Sequence, residues 1–292
     1  MIYPNILKTI GNTPLIRINN LIENPKVTLL AKLEGTNPTG SVKDRPAHYI
    51  TSKAERKGIL TKEKTILEAT SGNMGIALAA IGAQKGYKVV IVMSEVATPE
   101  RRKILKSLGA ELILTPTATG TTGAFQKAKE IYEKHPEKYF LVDQFNNPWN
   151  VEAHFHGAAK EILEEVKNID VMIVASGTSG TLMGTAKRFR KNSPQTKIIG
   201  AFPEKGFQIP GLQNPHKDFI GKFFQEKLID DYFIITEEES TKMVKKAAKK
   251  EGLFLGPSSG TALAAAAKIK EGLVVTILPD RGDKYLSTGI FN

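Results

Sequence analysis

The chain has 292 residues, 41% of them apolar and 24% charged, and its 41 basic side chains against 30 acidic ones give a formal charge of +11. That composition excludes a disordered polypeptide and is enough for one large core or two ordinary ones. The absence of cysteine excludes disulfides, thiolate metal sites and a cysteine nucleophile. No apolar run approaches the roughly 18 residues of a membrane span. Residues 1–8 lack the basic and apolar segments of a secretory signal, so a cytoplasmic protein is expected. The basic excess is spread over helix-like stretches such as residues 101–106 and 242–250, which reads as solvated faces rather than a polynucleotide site, and it also suits anionic ligands.

Short runs rich in Val, Ile and Leu at residues 65–69, 88–93, 111–114, 140–142, 171–175, 197–200 and 273–278 have the length and composition of strands. The longer amphipathic stretches between them read as helices, and a further strand leads into the turn after Lys32. Strands apolar on both faces and separated by helices predict mostly parallel sheets covered on both sides. This is an α/β fold whose sites lie at the carboxyl ends of the strands. The alternation pauses at Asn147-Pro148, the expected crossing point between two closely packed units, and no low-complexity linker or repeat is present. Residues 206–225, with Pro210, Gly211, Pro215 and Gly221, form the longest irregular segment, and long loops of this kind often line a site.

Four segments bring small polar residues to a helix start. The first, Lys32-Leu33-Glu34-Gly35-Thr36-Asn37-Pro38-Thr39-Gly40-Ser41-Val42-Lys43-Asp44-Arg45, passes through a Pro/Gly turn and puts Lys43 at the opening of a helix. The positive end of a helix disfavours an ammonium, which suits a lysine that must reach its neutral amine. A surface lysine beside a capping residue has the same local pattern. The second, Glu68-Ala69-Thr70-Ser71-Gly72-Asn73-Met74-Gly75, opens a helix over 76–85, and its hydroxyls and free N–H groups suit a carboxylate or plain N-capping. The third, Ala175-Ser176-Gly177-Thr178-Ser179-Gly180-Thr181, opens a helix reaching Arg190. It offers close backbone approach, hydroxyls and a helix dipole to a phosphate, or else forms a tight turn. It lacks the ending of a P-loop and the spacing of a dinucleotide fingerprint, so nucleotide binding is not expected. The fourth, Gly256-Pro257-Ser258-Ser259-Gly260, precedes an alanine-rich helix from Thr261 and by itself reads as a cap. His154 and His156, at i and i+2, are poorly placed to share a ligand, and structural roles are expected for both.

Together these segments resemble, in order, the motifs of the cysteine synthase and cystathionine beta-synthase family. Ser41-Val42-Lys43-Asp44-Arg45 is similar to the cofactor-lysine motif. The resemblance runs from Ile10-Gly11-Asn12-Thr13-Pro14-Leu15, similar to the family's opening, to residues 278–291, similar to the ending of the cysteine synthase B branch. It implies a tryptophan synthase beta-like, fold-type II architecture of two three-layer α/β domains. A smaller mobile domain is expected over residues 40–148, and a larger cofactor-binding one over 1–39 and 149–292. The implied cofactor is pyridoxal 5'-phosphate, carried by Lys43 as a Schiff base, with its phosphate on Gly177, Thr178, Ser179, Gly180 and Thr181. Asn73 would meet its phenolic oxygen and Ser258 its pyridine nitrogen. A neutral serine there leaves the ring a milder electron sink than a carboxylate would, which suits replacement at the beta carbon. Thr70, Ser71, Asn73 and Gln144, the last within Asp143-Gln144-Phe145, would hold a substrate carboxylate, and no metal is implied. Met74 and Ser179 depart from the threonine and glycine frequent in relatives, and residues 153–162 depart from a threonine-rich stretch.

The implied reaction replaces the acetyl group of O-acetylserine with sulfide, giving L-cysteine and acetate, with Lys43 as base at the alpha carbon. Relatives that use O-phosphoserine, and cysteine synthase B enzymes, place an arginine in the loop matching Ile209-Pro210-Gly211-Leu212-Gln213-Asn214. Here Gln213 stands at that place without a charge for a phosphate, so O-acetylserine is the expected donor. Cystathionine beta-synthase and sulfide-releasing cysteine lyase activities share the fold and stay open, although the haem-binding and regulatory extensions of the larger cystathionine enzymes are not seen. A non-catalytic scaffold would be expected to have lost the lysine or the phosphate loop, and both are intact. Family members are usually homodimers, and some bind serine acetyltransferase through that enzyme's C-terminal tail.

Overall fold

The computed structural model describes residues 2–204, 209–214 and 222–291, so part of the irregular segment expected over 206–225, Pro215 and Gly221 included, lies outside the described residues. In chain order the strands are β1 (Leu15–Ile18), β2 (Val27–Leu33), β3 (Thr65–Ala69), β4 (Val89–Ser94), β5 (Glu111–Thr115), β6 (Tyr139–Leu141), β7 (Val171–Ala175), β8 (Lys197–Pro203), β9 (Asp231–Ile235) and β10 (Gly272–Leu278). The helices are α1 (Asp44–Arg56), α2 (Asn73–Lys85), α3 (Pro99–Ser107), α4 (Gly120–Lys134), α5 (Trp149–His156), α6 (Ala158–Glu165), α7 (Gly180–Asn192), α8 (Glu237–Glu251) and α9 (Pro257–Ala266). None of them is long and apolar enough to cross a membrane.

The strands form a six-stranded sheet, β1-β2-β10-β7-β8-β9, and a four-stranded sheet, β5-β4-β3-β6. Only the β1–β2 pair is antiparallel among the described ladders. Successive strand side chains face opposite sides, and burial follows that period. In the smaller sheet Ile66, Ile91 and Met93 pack with Ala47 of α1 and Leu78 of α2. Their neighbours Leu67, Val90 and Val92 pack on Ala124 and Ala128 of α4. In the larger sheet Val171, Ile173 and Ile199 meet α8 and α9, whereas Met172, Val174 and Ile198 meet α5, α6 and α7. Both sheets are thus covered on both faces, as the doubly apolar runs predict, and each run read from the sequence falls on one of β3–β8 or β10.

Strands β1 and β9 escape the pattern because they are short edges of the six-stranded sheet, half open to solvent. In β2 the apolar run is interrupted by Lys32, which is wholly buried. Its Nζ donates to the Thr13 carbonyl at 2.6 Å and lies 2.9 Å from Glu165 Oε1 and 3.1 Å from Glu161 Oε2. Glu161 also receives Arg45, in the first turn of α1, whose Nη1 and Nη2 approach it at 2.6 and 2.8 Å. The same guanidinium binds Glu34 through Nε and Nη2 at 2.6 and 2.8 Å, and Thr13 donates to Glu34 at 2.8 Å. Burial acts to raise the Glu161 carboxyl, but the Arg45 hydrogen bonds and charge prevail and hold it at about 2.

Breaking one partner of a buried pair leaves an uncompensated charge. Arg45→Met is therefore expected to lose about 3–5 kcal/mol at neutral pH, read from urea denaturation. Because the folded-state pKa of Glu161 is depressed from 4.5 to about 2, its contribution is present above 4.5 and is lost as pH falls through 2. Unchanged urea midpoints in the variant would show that the cluster contributes nothing.

Candidate active site

The turn that ends on Lys43 is fastened to the end of β10. Val42 N–H donates to the Pro279 carbonyl at 2.7 Å, Lys284 Nζ donates to the Gly40 carbonyl at 3.1 Å, and Ser41 bridges to Asp280. Asp44 accepts from the Thr39 N–H at 2.8 Å and from the Thr39 hydroxyl, which closes the turn. Lys43 is consequently held as the cap of α1, as its motif predicts. Part of its side chain meets solvent, but protein surrounds the amine. This desolvation lowers its pKa from 10.5 to about 8, with the Asp280 charge opposing.

Asp280 is the junction of one side of this site. Its Oδ2 accepts from Asn73 Nδ2 at 2.7 Å and from the Tyr285 hydroxyl at 2.6 Å, while its carbonyl accepts from Gly256 N–H at 3.1 Å. A Cβ at Gly256 would run into Asp280 Oδ1, so only glycine lets the start of α9 pack this closely. Ser258 and Ser259 lie inside the first turn of α9 rather than ahead of it. The helix begins at Pro257, whose fixed φ suits the first helical position. Asn73 opens α2, and its Oδ1 is buried without a partner among the described residues. Met74 points away from all of these and is buried in the core beside the smaller sheet.

The other side is the loop between β7 and α7. Ser179 turns the chain at φ 66°, the left-handed region where glycine is easiest, and its buried hydroxyl lies 3.1 Å from that of Ser176. A Cβ at Gly177 would strike the Gly211 carbonyl, and Gln213 N–H donates to the Ser176 carbonyl at 2.9 Å, so residues 209–214 lie directly on this loop. Asn150 Nδ2 reaches both Thr178 Oγ1 at 3.1 Å and the Gln144 carbonyl at 2.8 Å. His154 is wholly buried, with Nε2 3.3 Å from Thr181 Oγ1. Burial, then the charges of Lys43 and Arg45, hold its imidazole well below the usual range. Gln144 in turn donates to Glu68 Oε1 at 3.1 Å. Thr70 directly follows β3, its N–H donating to the Val92 carbonyl at 3.0 Å, and its hydroxyl accepts the Gly72 N–H at 3.1 Å.

Lys43 feels the charge of Asp280, which binds Asn73 and the start of α9, and its own charge bears on His154, which contacts Thr181. Gln144 is linked to Thr178 through Asn150. Asp280, Asn150 and Glu68 are the residues that sequence reasoning passed over. Each sits at or just beyond the carboxyl end of a strand, or directly after the Asn147-Pro148 step, and that position was the available signal.

A family model described as pyridoxal-phosphate dependent enzyme matches residues 6–280. This chain belongs to that family. Over 300 residues it is 40% identical to a cysteine synthase of Aquifex aeolicus, covering 98% of this chain and 92% of the relative. Over 295 residues it is 38% identical to the cysteine synthase B of Pseudomonas aeruginosa, covering 99% and 98%. The crystal structure of an O-acetylserine dependent cystathionine beta-synthase from Helicobacter pylori superposes with a TM-score of 0.93 at 36% identity, covering 100% of both chains. Pyridoxal 5'-phosphate is accordingly the cofactor of this pyridoxal-phosphate dependent enzyme. The residues present fit it: an amine with a depressed pKa, a buried asparagine with an oxygen to spare, and a glycine-pinched turn at the N-terminus of α7.

In the cofactor-free protein the neutral fraction of Lys43 is expected to rise through pH 8 rather than 10.5. Peptide-resolved acetylation across pH should give Lys43 a midpoint near 8, well below that of exposed lysines. A midpoint shared with the exposed lysines would contradict the burial of this amine.

Proposed function

We propose that the chain is a cysteine synthase that converts O-acetylserine and sulfide to L-cysteine and acetate. The observation that carries this reading is the Lys43 amine at the start of α1, desolvated to a pKa of about 8 and within the electrostatic reach of Asp280 and His154. In this reading Lys43 would hold pyridoxal 5'-phosphate at its aldehyde carbon, Gly177 to Thr181 would hold its phosphate, and Asn73 and Ser258 would meet the ring. When bound, the pyridine ring supplies a sink for the electron pair left at the substrate alpha carbon.

The chain's own residues do the rest. Thr70, Ser71, Asn73 and Gln144 grip the substrate carboxylate and orient the alpha C–H bond toward Lys43. Once the substrate's own amine has displaced it, Lys43 is a free amine, largely neutral just above pH 8, and is matched to take that proton as general base. Acetate then leaves the beta carbon and sulfide adds there, and the proton returns to the alpha carbon. Ser258 offers a neutral hydroxyl, which leaves the ring a moderate sink and favours exchange at the beta carbon. Closure of the unit over residues 40–148 would exclude water meanwhile.

Gln213, whose N–H is bound to the Ser176 carbonyl, brings no charge to the donor side, which supports O-acetylserine over O-phosphoserine. The same family likeness supports a homodimer in the cytoplasm, and the C-terminal tail of serine acetyltransferase, which some family members bind, is a candidate partner. Because the Helicobacter pylori neighbour is named as an O-acetylserine dependent cystathionine beta-synthase, homocysteine belongs in the test as a second acceptor.

The purified protein is expected to absorb near the visible edge and to lose that band, with all turnover, in Lys43→Ala. In a panel of O-acetylserine or O-phosphoserine with sulfide or homocysteine, the first donor with sulfide is expected to turn over fastest. A large preference for the phosphoester, faster cystathionine formation, or net sulfide release from cysteine would overturn the assignment.

A further inference from the structure

Glu68 is a carboxylic acid in the interior of a parallel sheet, 1% exposed, on a strand whose other members are apolar or threonine. Its Oε1 accepts from Gln144 Nε2 at 3.1 Å, and its Oε2 has no partner among the described residues. The chain reaches Gln144 through an awkward turn. Beyond β6, Val142 still donates to the Leu67 carbonyl at 3.0 Å, and Asp143 then takes φ 51°, a left-handed backbone that a side chain makes costly. The Asp143 carbonyl accepts from the N–H groups of Asn146 and Asn147 at 3.0 and 2.9 Å, which holds the turn from outside. Glu68 holds it from inside.

Thr70, directly after β3, continues its ladder by donating to the Val92 carbonyl at 3.0 Å, so the side chains of residues 68 and 70 share a face. A Gln144 amide anchored on Glu68 is therefore delivered beside Thr70. An amide nitrogen has two hydrogens. One is spent on Glu68, and the second is left for a ligand.

We propose that Glu68 is a positioning residue for the amino-acid substrate: it fixes the Asp143–Gln144 turn and aims the Gln144 amide at the carboxylate held by Thr70 and Ser71. This rests on the reading of Thr70, Ser71 and Gln144 given above. A neutral acid serves this role better than a carboxylate, whose charge would repel the ligand's own. Burial, with the Asp143 charge adding and the Gln144 and backbone hydrogen bonds opposing, raises the Glu68 pKa to about 8 and keeps its proton on at neutral pH.

The test uses the cofactor-loaded enzyme and two readouts: KM and kcat for O-acetylserine and sulfide, and calorimetric binding of L-alanine, which has the carboxylate but no leaving group. Glu68→Met fills the same volume without an acceptor, and Glu68→Gln restores a neutral acceptor. Losing the anchor of one hydrogen bond is expected to raise KM for O-acetylserine and weaken L-alanine about tenfold in Glu68→Met. The KM for sulfide should stay as it is, and kcat should change less than KM. Glu68→Gln should stay within about twofold of the parent. Gln144→Ala should show the same loss, and Glu68→Met added to it should cost nothing more. If Glu68→Met does not fold, Glu68→Ala takes its place in the cycle. Parent-like L-alanine binding without the Glu68 acceptor, or losses that simply add in the double variant, would overturn the proposal. Parent-like binding in Gln144→Ala would instead overturn the carboxylate reading on which it stands.

Discussion

A buried charge must be paired, and the Arg45 guanidinium is where that constraint is heaviest. Glu34 follows β2, Glu161 lies on α6 and Arg45 opens α1, so one planar cation fastens its helix to two other parts of the chain at 2.6 to 2.8 Å. Any movement of the first turn of α1 would take the guanidinium from two carboxylates at once, leaving Glu34 with neutral partners alone. Lys43 stands two residues before that arginine. Its amine tolerates desolvation because the backbone on which it rides cannot drift back toward water.

The remaining polar groups follow the same economy of alternatives. Glu68 meets Gln144, the Gln144 carbonyl meets Asn150, and Asn150 meets Thr178, so a row of buried hydrogen bonds connects the end of the smaller sheet to the loop after β7. On the opposite side Tyr285, Asp280 and Asn73 form a second row. Groups held in this way are already oriented before any ligand arrives, and that preorganisation is what makes fixed dipoles effective in a site sheltered from solvent.

Much of this was legible beforehand. Doubly apolar runs such as 171–175 and 65–69 announce buried parallel strands, and Lys43, Thr70 and Gly177 stand where a strand hands over to a helix. The edges β1 and β9 were not legible, because an edge strand need satisfy only one neighbour and carries a weaker pattern. The strand before the turn after Lys32 was legible as β2, but its burial was not, since a lysine inside an apolar run argues against burial until Glu161 and Glu165 are known to meet it. Asp280 and Asn150 were missed for a related reason. Their importance lies in partners 207 and 28 residues away, at Asn73 and Thr178, and separation of that kind leaves no local periodicity.

The backbone contact between Gly177 and the Gly211 carbonyl has a practical corollary. Residues 209–214 line the side on which the leaving group is proposed to sit, yet they lie against the loop proposed to take the cofactor's phosphate. A library that reshapes this stretch would shift prosthetic-group retention together with substrate choice. Winners picked by turnover alone would mix the two, unless each variant's loading were titrated alongside.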